Sequence, residues 1–253
     1  MTDRFRRVEI NGGHVSMGQT WRLELEPVQH GYADAQIDDY GGRKRSDYLW
    51  RPGSRVALRA RFSHGANQLV GTAGFGFWNA PFGDPTVRFP AMPQVTWFFY
   101  ASQPSDLPFP VQGVGRGWFA GTLDASMAVA LVLAPLAIPI VIANNVNWLR
   151  RRIWPIVRRQ LGVSHAAIPV AMDEWHDYAL SWQEDGCHFL VDGAPVHQTT
   201  YCPGGPLGFV CWIDNQYMVA TPGGRFRWGT LPCPEVQWLE VQDFRLEHEG
   251  GHF

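Results

Sequence analysis

The segment Pro206-Leu-Gly-Phe-Val-Cys-Trp-Ile-Asp-Asn-Gln-Tyr217 holds the residue types best suited to chemistry in this chain. Read as a strand it alternates, so Trp212, Asp214 and Gln216 share one face while Ile213, Asn215 and Tyr217 share the other. An acid among aromatic rings loses the water that stabilises its charged form, which raises its pKa and suits it to proton donation. On that argument Asp214 is the candidate catalytic acid, with Asn215, Gln216 and Tyr217 beside it as ligand-binding groups. The alternative is an aspartate at a strand end that binds a loop amide or an ion.

Two further stretches supply aromatic surface. In Gly74-Phe-Gly-Phe-Trp-Asn79 the glycines open space for a ligand or another backbone. Trp78 there offers a stacking face and Asn79 a polar handle. Gln94-Val-Thr-Trp-Phe-Phe-Tyr-Ala-Ser102 is a strand without a single acid. One register turns Thr96, Phe98 and Tyr100 toward a ligand, the other turns Trp97 and Phe99, and Trp118 extends the wall. The alternative is that such rings fill a core, but twelve tryptophans are too many for one core without some lining a groove.

Other polar clusters read as structural. Asp38-Asp39-Tyr40 before Gly41-Gly42 suggests a solvated turn. A two-residue Asp192-Gly193 turn sets His188 and His197 opposite each other, a surface pair with no third metal ligand nearby. No metal or cofactor is expected. Ser, Cys and His show no nucleophile elbow or triad spacing, and no glycine-rich phosphate loop follows a strand.

The elements that must position these groups are strands. Trp21–Glu26 alternates, and Arg55–Phe62 separates Val56, Leu58, Ala60 and Phe62 from its arginines, the pattern of a half-buried strand. With 253 residues, 27 glycines and 19 prolines, the chain has the size and punctuation of a single β-sandwich domain spanning 1–253. The exception lies within 122–168. Ala125 to Ala143 carries no charge, and Asn144 to Gln160 follows with Trp148, Trp154 and five arginines. A single membrane crossing there would separate strands that should pair, so Pro135 and Pro139 suggest a helical hairpin. That hairpin is either a lid on the sandwich or a peripheral membrane contact through 125–160, with Trp and Arg at the interface. An exposed apolar arm equally suits a dimer contact, so oligomeric state stays open.

A net charge of −2 gives no overall basic surface to attract nucleic acid. Four cysteines without a CxxC pair, and an N-terminus without an apolar run, point to free thiols and a cytoplasmic protein, membrane-associated if the 125–160 hairpin meets lipid.

Trp175-His-Asp-Tyr-Ala-Leu-Ser-Trp182 followed by Val191-Asp-Gly193 resembles the concanavalin A-like lectin/glucanase superfamily, in particular the family-16 glycoside hydrolases. Val236–Leu246 is similar to their closing strand and Gly71–Trp78 to an inner one. The resemblance implies an all-β fold: a two-sheet antiparallel β-sandwich (jelly roll) carrying a helical hydrophobic insertion. It also implies that the strand holding Asp214 lines a concave sheet. Such enzymes keep two carboxyl groups about 5 Å apart on a Glu-x-Asp-x-x-Glu strand. Here the strand in that place, Val95–Ser102, has none.

Three functions follow as expectations. In the first, the cleft binds an extended apolar substrate, terpenoid, polyketide or lipid-like, and Asp214 starts a cyclisation, isomerisation or hydration. In the second, the protein is a lectin-like module stacking sugars on Trp78 and Trp212. In the third, it is a glycoside hydrolase with relocated carboxylates, Asp214 with Asp39 or Asp84.

Overall fold

The computed structural model describes residues 4–81, 91–108, 110, 114–125 and 134–249. Its strands are β1 (Arg6–Ile10), β2 (Gly13–Met17), β3 (Trp21–Leu25), β4 (Asp34–Asp38), β5 (Ser54–Phe62), β6 (Thr72–Trp78), β7 (Gln94–Ala101) and β8 (Gly117–Asp124). After two helices, α1 (Ala137–Asn144) and α2 (Asn147–Gln160), come β9 (Ser164–Ala167), β10 (His176–Trp182), β11 (Cys187–Val191), β12 (Ala194–Thr199), β13 (Gly208–Asp214), β14 (Gln216–Ala220), β15 (Phe226–Thr230) and β16 (Gln237–His248). One sheet of seven runs β1-β4-β13-β6-β7-β8-β9, and a second of seven runs β12-β11-β10-β5-β16-β3-β2. Their pairings are antiparallel throughout, and the two pack as a β-sandwich jelly roll with a small β14-β15 ribbon at one side.

Alternation decides what fills the space between the sheets. β5 buries Ser54, Val56, Leu58, Ala60 and Phe62 and leaves its arginines outside, as its pattern requires. β6 and β13 send Phe75, Phe77 and Phe209 inward, and the second sheet answers with Tyr178, Trp182 and Phe189. β11 and β12 join through Asp192 and Gly193, both at positive φ (51° and 76°), the type I′ turn that matches strand twist.

β7 is aromatic on both faces, and the structure settles which face is which. Phe98 and Tyr100 point into the core, as does Trp118 on β8. Phe98 meets Phe189 of the opposite sheet edge to face at 5.4 Å, and Trp118 meets Tyr178 at 5.8 Å. The Tyr100 hydroxyl donates to the Leu69 carbonyl at 2.8 Å. These three side chains therefore hold the sheets together and do not reach the outer face, correcting their place in the expected aromatic wall.

Two polar expectations are also corrected. Asp38 and Asp39 are buried rather than solvated, because β4 is covered by β1 on one edge and β13 on the other. Asp38 takes Arg6 through Nε at 3.0 Å and Nη2 at 2.8 Å, and Asp39 accepts from the Trp50 indole at 2.6 Å and the Phe209 amide at 2.8 Å. The histidine pair is out of register: a bulge after Phe189 sets Phe189 against His197 and His188 against Gln198.

The helices hang between β8 and β9. Pro139 sits in the first turn of α1, where its missing amide hydrogen costs nothing. The turn between helices falls instead at Asn145 and Val146, where the Asn145 side-chain amide donates from Nδ2 to the Val141 carbonyl at 2.9 Å. Trp154 anchors α2, being its buried residue. Among the described residues no helix is long and apolar enough to cross a membrane.

Candidate functional site

The outer face of the first sheet carries the site. Neighbouring strands place Trp212 beside Gly74 and Gly74 beside Phe99, and place Gly76 beside Trp97 and Trp97 beside Gly121. Each large ring thus lies against a residue without a side chain. A Cβ on Gly74 would sit 3.0 Å from the Trp212 ring, and one on Gly76 would sit 2.6 Å from Trp97 Cα. The glycines were expected to admit a ligand or another backbone; what they admit is the β7 backbone at Phe98, Thr96 and Trp97, with the Trp212 ring beside Gly74.

The rings form one packed group. Trp78 and Trp212 are parallel, 6.5 Å apart and inclined by 6°. Trp97 stacks on Phe99 at 4.8 Å and lies 5.3 Å from Trp212. Trp212 and Phe99 are buried, whereas Trp78 and Trp97 keep half-exposed surfaces. The buried pair fixes the partly buried pair, so the face presents a rigid aromatic platform. An open pocket of about 340 Å³ adjoins the Trp78 end, lined by Arg45, Asn79, Met92 and Gln94.

At the other end of the face a polar chain runs inward. The Trp212 indole donates to Thr72 Oγ1 at 3.0 Å, and that hydroxyl donates to Asp214 Oδ1 at 2.8 Å. The same oxygen accepts the Thr72 and Gln216 amides at 3.2 and 3.0 Å. Asp214 is thus a strand-end aspartate binding loop amides and also an acid beside a tryptophan. Burial pushes its pKa up to about 6, against the pull of those donors. Directly across the ladder stands Asp34 on β4. Burial first, then the Asp214 charge, push its carboxyl well above the usual range, offset in part by a hydrogen bond with Tyr32. Among the described residues Asp34 Oδ1 is buried without a hydrogen-bond partner.

Of the expected site residues, Trp78, Trp97, Trp212 and Asp214 come together on this face. Asn79 and Asn215 do not serve it. Asn79 holds its own loop, donating to the Met92 carbonyl at 2.9 Å and accepting the Gln94 amide at 3.1 Å. Asn215 is buried and ties three segments, accepting from Ala33 and donating to Gly31 and Leu231. Gln216 and Tyr217 leave the sheet on the β14-β15 ribbon, where the Tyr217 ring lies against Gly229. Asp39 faces the core, away from Asp214, and Asp84 lies outside the described residues. Asp34, Thr72 and Tyr32 are the additions. Asp34-Ala-Gln-Ile-Asp38 carries the signal for the first, since polar residues at every second position mark an outer face. Among the described residues no group of three His, Cys, Asp or Glu is placed to hold a metal ion.

The model of the family described as glycosyl hydrolases family 16 matches residues 160–206. Among solved structures, a laminarinase from Flavobacterium sp. UMI-01 superposes with a TM-score of 0.50 at 12% identity, over 98% of this chain and 94% of that one. An endo-β-1,4-glucuronan lyase from the fungus Trichoderma reesei gives 0.49 at 12% identity, over 96% and 90%. The carbohydrate recognition domain of Emp47p gives 0.49 at 11% identity, over 97% and 89%. No curated protein matches the chain.

These findings overturn the terpenoid, polyketide or lipid cyclase. The family match is to sugar hydrolases, and the rings meant to line an oily trough either fill the core or pack on one another. The chain is a concanavalin A-like jelly roll of the type seen in family-16 glycoside hydrolases, and its sequence contains no Glu-x-Asp-x-x-Glu strand.

Proposed function

We propose that this protein is a lectin-like module that binds carbohydrate on the outer face of the first sheet. The observation that carries the reading is the platform: half-exposed Trp78 and Trp97, backed by buried Trp212 and Phe99. The C–H face of a pyranose is apolar enough to stack on an indole, and rings already locked in place bind without losing rotamer freedom. β7 brings only Val95, Trp97, Phe99 and Ala101 to that face, so it offers contact surface and no acid. The test is retention of the purified protein on an array of polysaccharides and oligosaccharides. Trp78→Ala and Trp97→Ala should each weaken retention at least about tenfold, ~1.4 kcal/mol. Retention on no glycan, or retention indifferent to losing both rings, would remove the proposal.

A second reading is favoured by one observation, the facing pair Asp34 and Asp214. Direct cross-strand partners have Cβ atoms about 5 Å apart, close to the carboxyl spacing of about 5–5.5 Å in retaining glycosidases. Such a hydrolase with relocated carboxylates would release reducing ends from the retained glycan, and Asp214→Asn would stop release while sparing retention. The burial of both carboxyls is why binding alone is the first choice.

A further inference from the structure

Charge is segregated along this chain. Residues 125–172 and 215–234 together hold seven arginines and no acid. The rest of the protein holds the other 14 basic residues and all 23 acidic ones. The two basic stretches meet in space. The Asn145 side-chain Nδ2 at the end of α1 donates to the Gly223 carbonyl at 3.0 Å, and Val141 lies so close to Gly224 that a Cβ there would be 2.5 Å from its methyl group.

The surface they build is apolar as well as basic. On α1 Ile138 is 74% and Ile142 65% exposed, one turn apart on the same stripe, and Trp148 at the start of α2 is 61% exposed. On β15 Phe226 is 63% and Trp228 71% exposed. Arg151 and Arg152 stand exposed beside them, with the Arg152 guanidinium 5.7 Å from the Trp148 ring. Arg225, its guanidinium 3.6 Å from Asp106, remains mostly exposed. Water gains nothing from bare isoleucine, so a patch of this kind marks an interaction surface.

We propose that α1, the first turn of α2 and the β14-β15 ribbon form a docking surface for an anionic lipid bilayer, lying flat in its interface. The argument is charge complementarity together with apolar depth: isoleucine and tryptophan enter the headgroup boundary while arginine meets lipid phosphate. A second copy of the chain is the poorer occupant, since a two-fold axis would set like-charged arginines against each other. A glycan is poorer still, having nothing to match isoleucine. The inference goes beyond carbohydrate binding and does not rest on it.

Vesicle flotation tests it. The full chain should float with phosphatidylcholine vesicles containing about one third phosphatidylglycerol, at least about tenfold more than with phosphatidylcholine alone, and salt should release it. Ile138→Glu with Ile142→Glu should abolish flotation with an unchanged thermal melt, and Phe226→Ser with Trp228→Ser should reduce it independently. No flotation with the anionic vesicles overturns the proposal, as does equal flotation of the glutamate variant. A concentration-dependent dimer in sedimentation that the same substitutions dissolve overturns it too, by giving the face to a second copy.

Discussion

Asp34 and Asp214 are direct partners across the β4–β13 ladder, both on the outer face and only 3% and 5% exposed. Two carboxyls so placed resist carrying charge together, and the folded state binds protons that the unfolded chain releases.

The burial of Asp214 fixes a pH dependence. Asp214 has a folded pKa raised to about 6, above its unfolded value of 3.8. Its stabilising share is complete below pH 3.8 and is lost as pH rises through about 6, at most about 3 kcal/mol. His165 works in the opposite sense: burial and the Arg158 charge lower its pKa to about 4, so its share is lost as pH falls below 6.5. A melt of the native protein mixes the two. Asp214→Asn isolates the first: its melting temperature should rise relative to the native protein between pH 4 and pH 7. A gap that stays constant across that range would remove the link.

The two faces of β7 should separate cleanly under mutation. Phe98→Ala opens a cavity between the sheets and should cost about 3–5 kcal/mol in denaturant unfolding. Trp97→Ala lies on the outer face, and should cost less stability while weakening glycan retention at least about tenfold. Equal stability losses at the two positions would contradict the assignment of faces.

Gly76 offers a third test, because a methyl group there meets backbone and not a yielding side chain. Its Cβ would lie 2.5 Å from the Thr96 carbonyl and 2.6 Å from Trp97 Cα. Gly76→Ala should therefore spread β6 from β7, at about 1–3 kcal/mol, and weaken glycan retention although every aromatic residue remains. Unfolding curves that overlay those of the native protein would show that the strands are not so closely held.

Much of the fold was readable from residues 175–193 and from β5, because strand alternation and a turn needing positive φ leave direct marks on sequence. The site was readable in part. Trp78, Trp97, Trp212 and Asp214 stood out by type, but β7 is aromatic at successive positions, so no pattern told Trp97 and Phe99 from Phe98 and Tyr100. That choice depends on the partner strands, which lie far away in sequence. Asn79 and Asn215 looked like ligand handles and proved to be taken by backbone groups, since buried amides claim any side chain that can satisfy them. Asp38 and Asp39 looked solvated because Gly41-Gly42 follows them, and nothing local reveals that β4 lies inside a sheet.

The helical arm departs from β8 at Asp124 and rejoins at β9 by Ser164, and Thr122 pairs with Ser164 across that gap. To the sandwich it is therefore an overgrown hairpin loop. Lengthening such a loop adds to the entropy of closure only logarithmically, about 0.6 kcal/mol per doubling. A change in the length of such an arm therefore adds little entropic cost to closing the ladder on either side. One scaffold is thereby free to carry the same aromatic platform beside arms of different length and character.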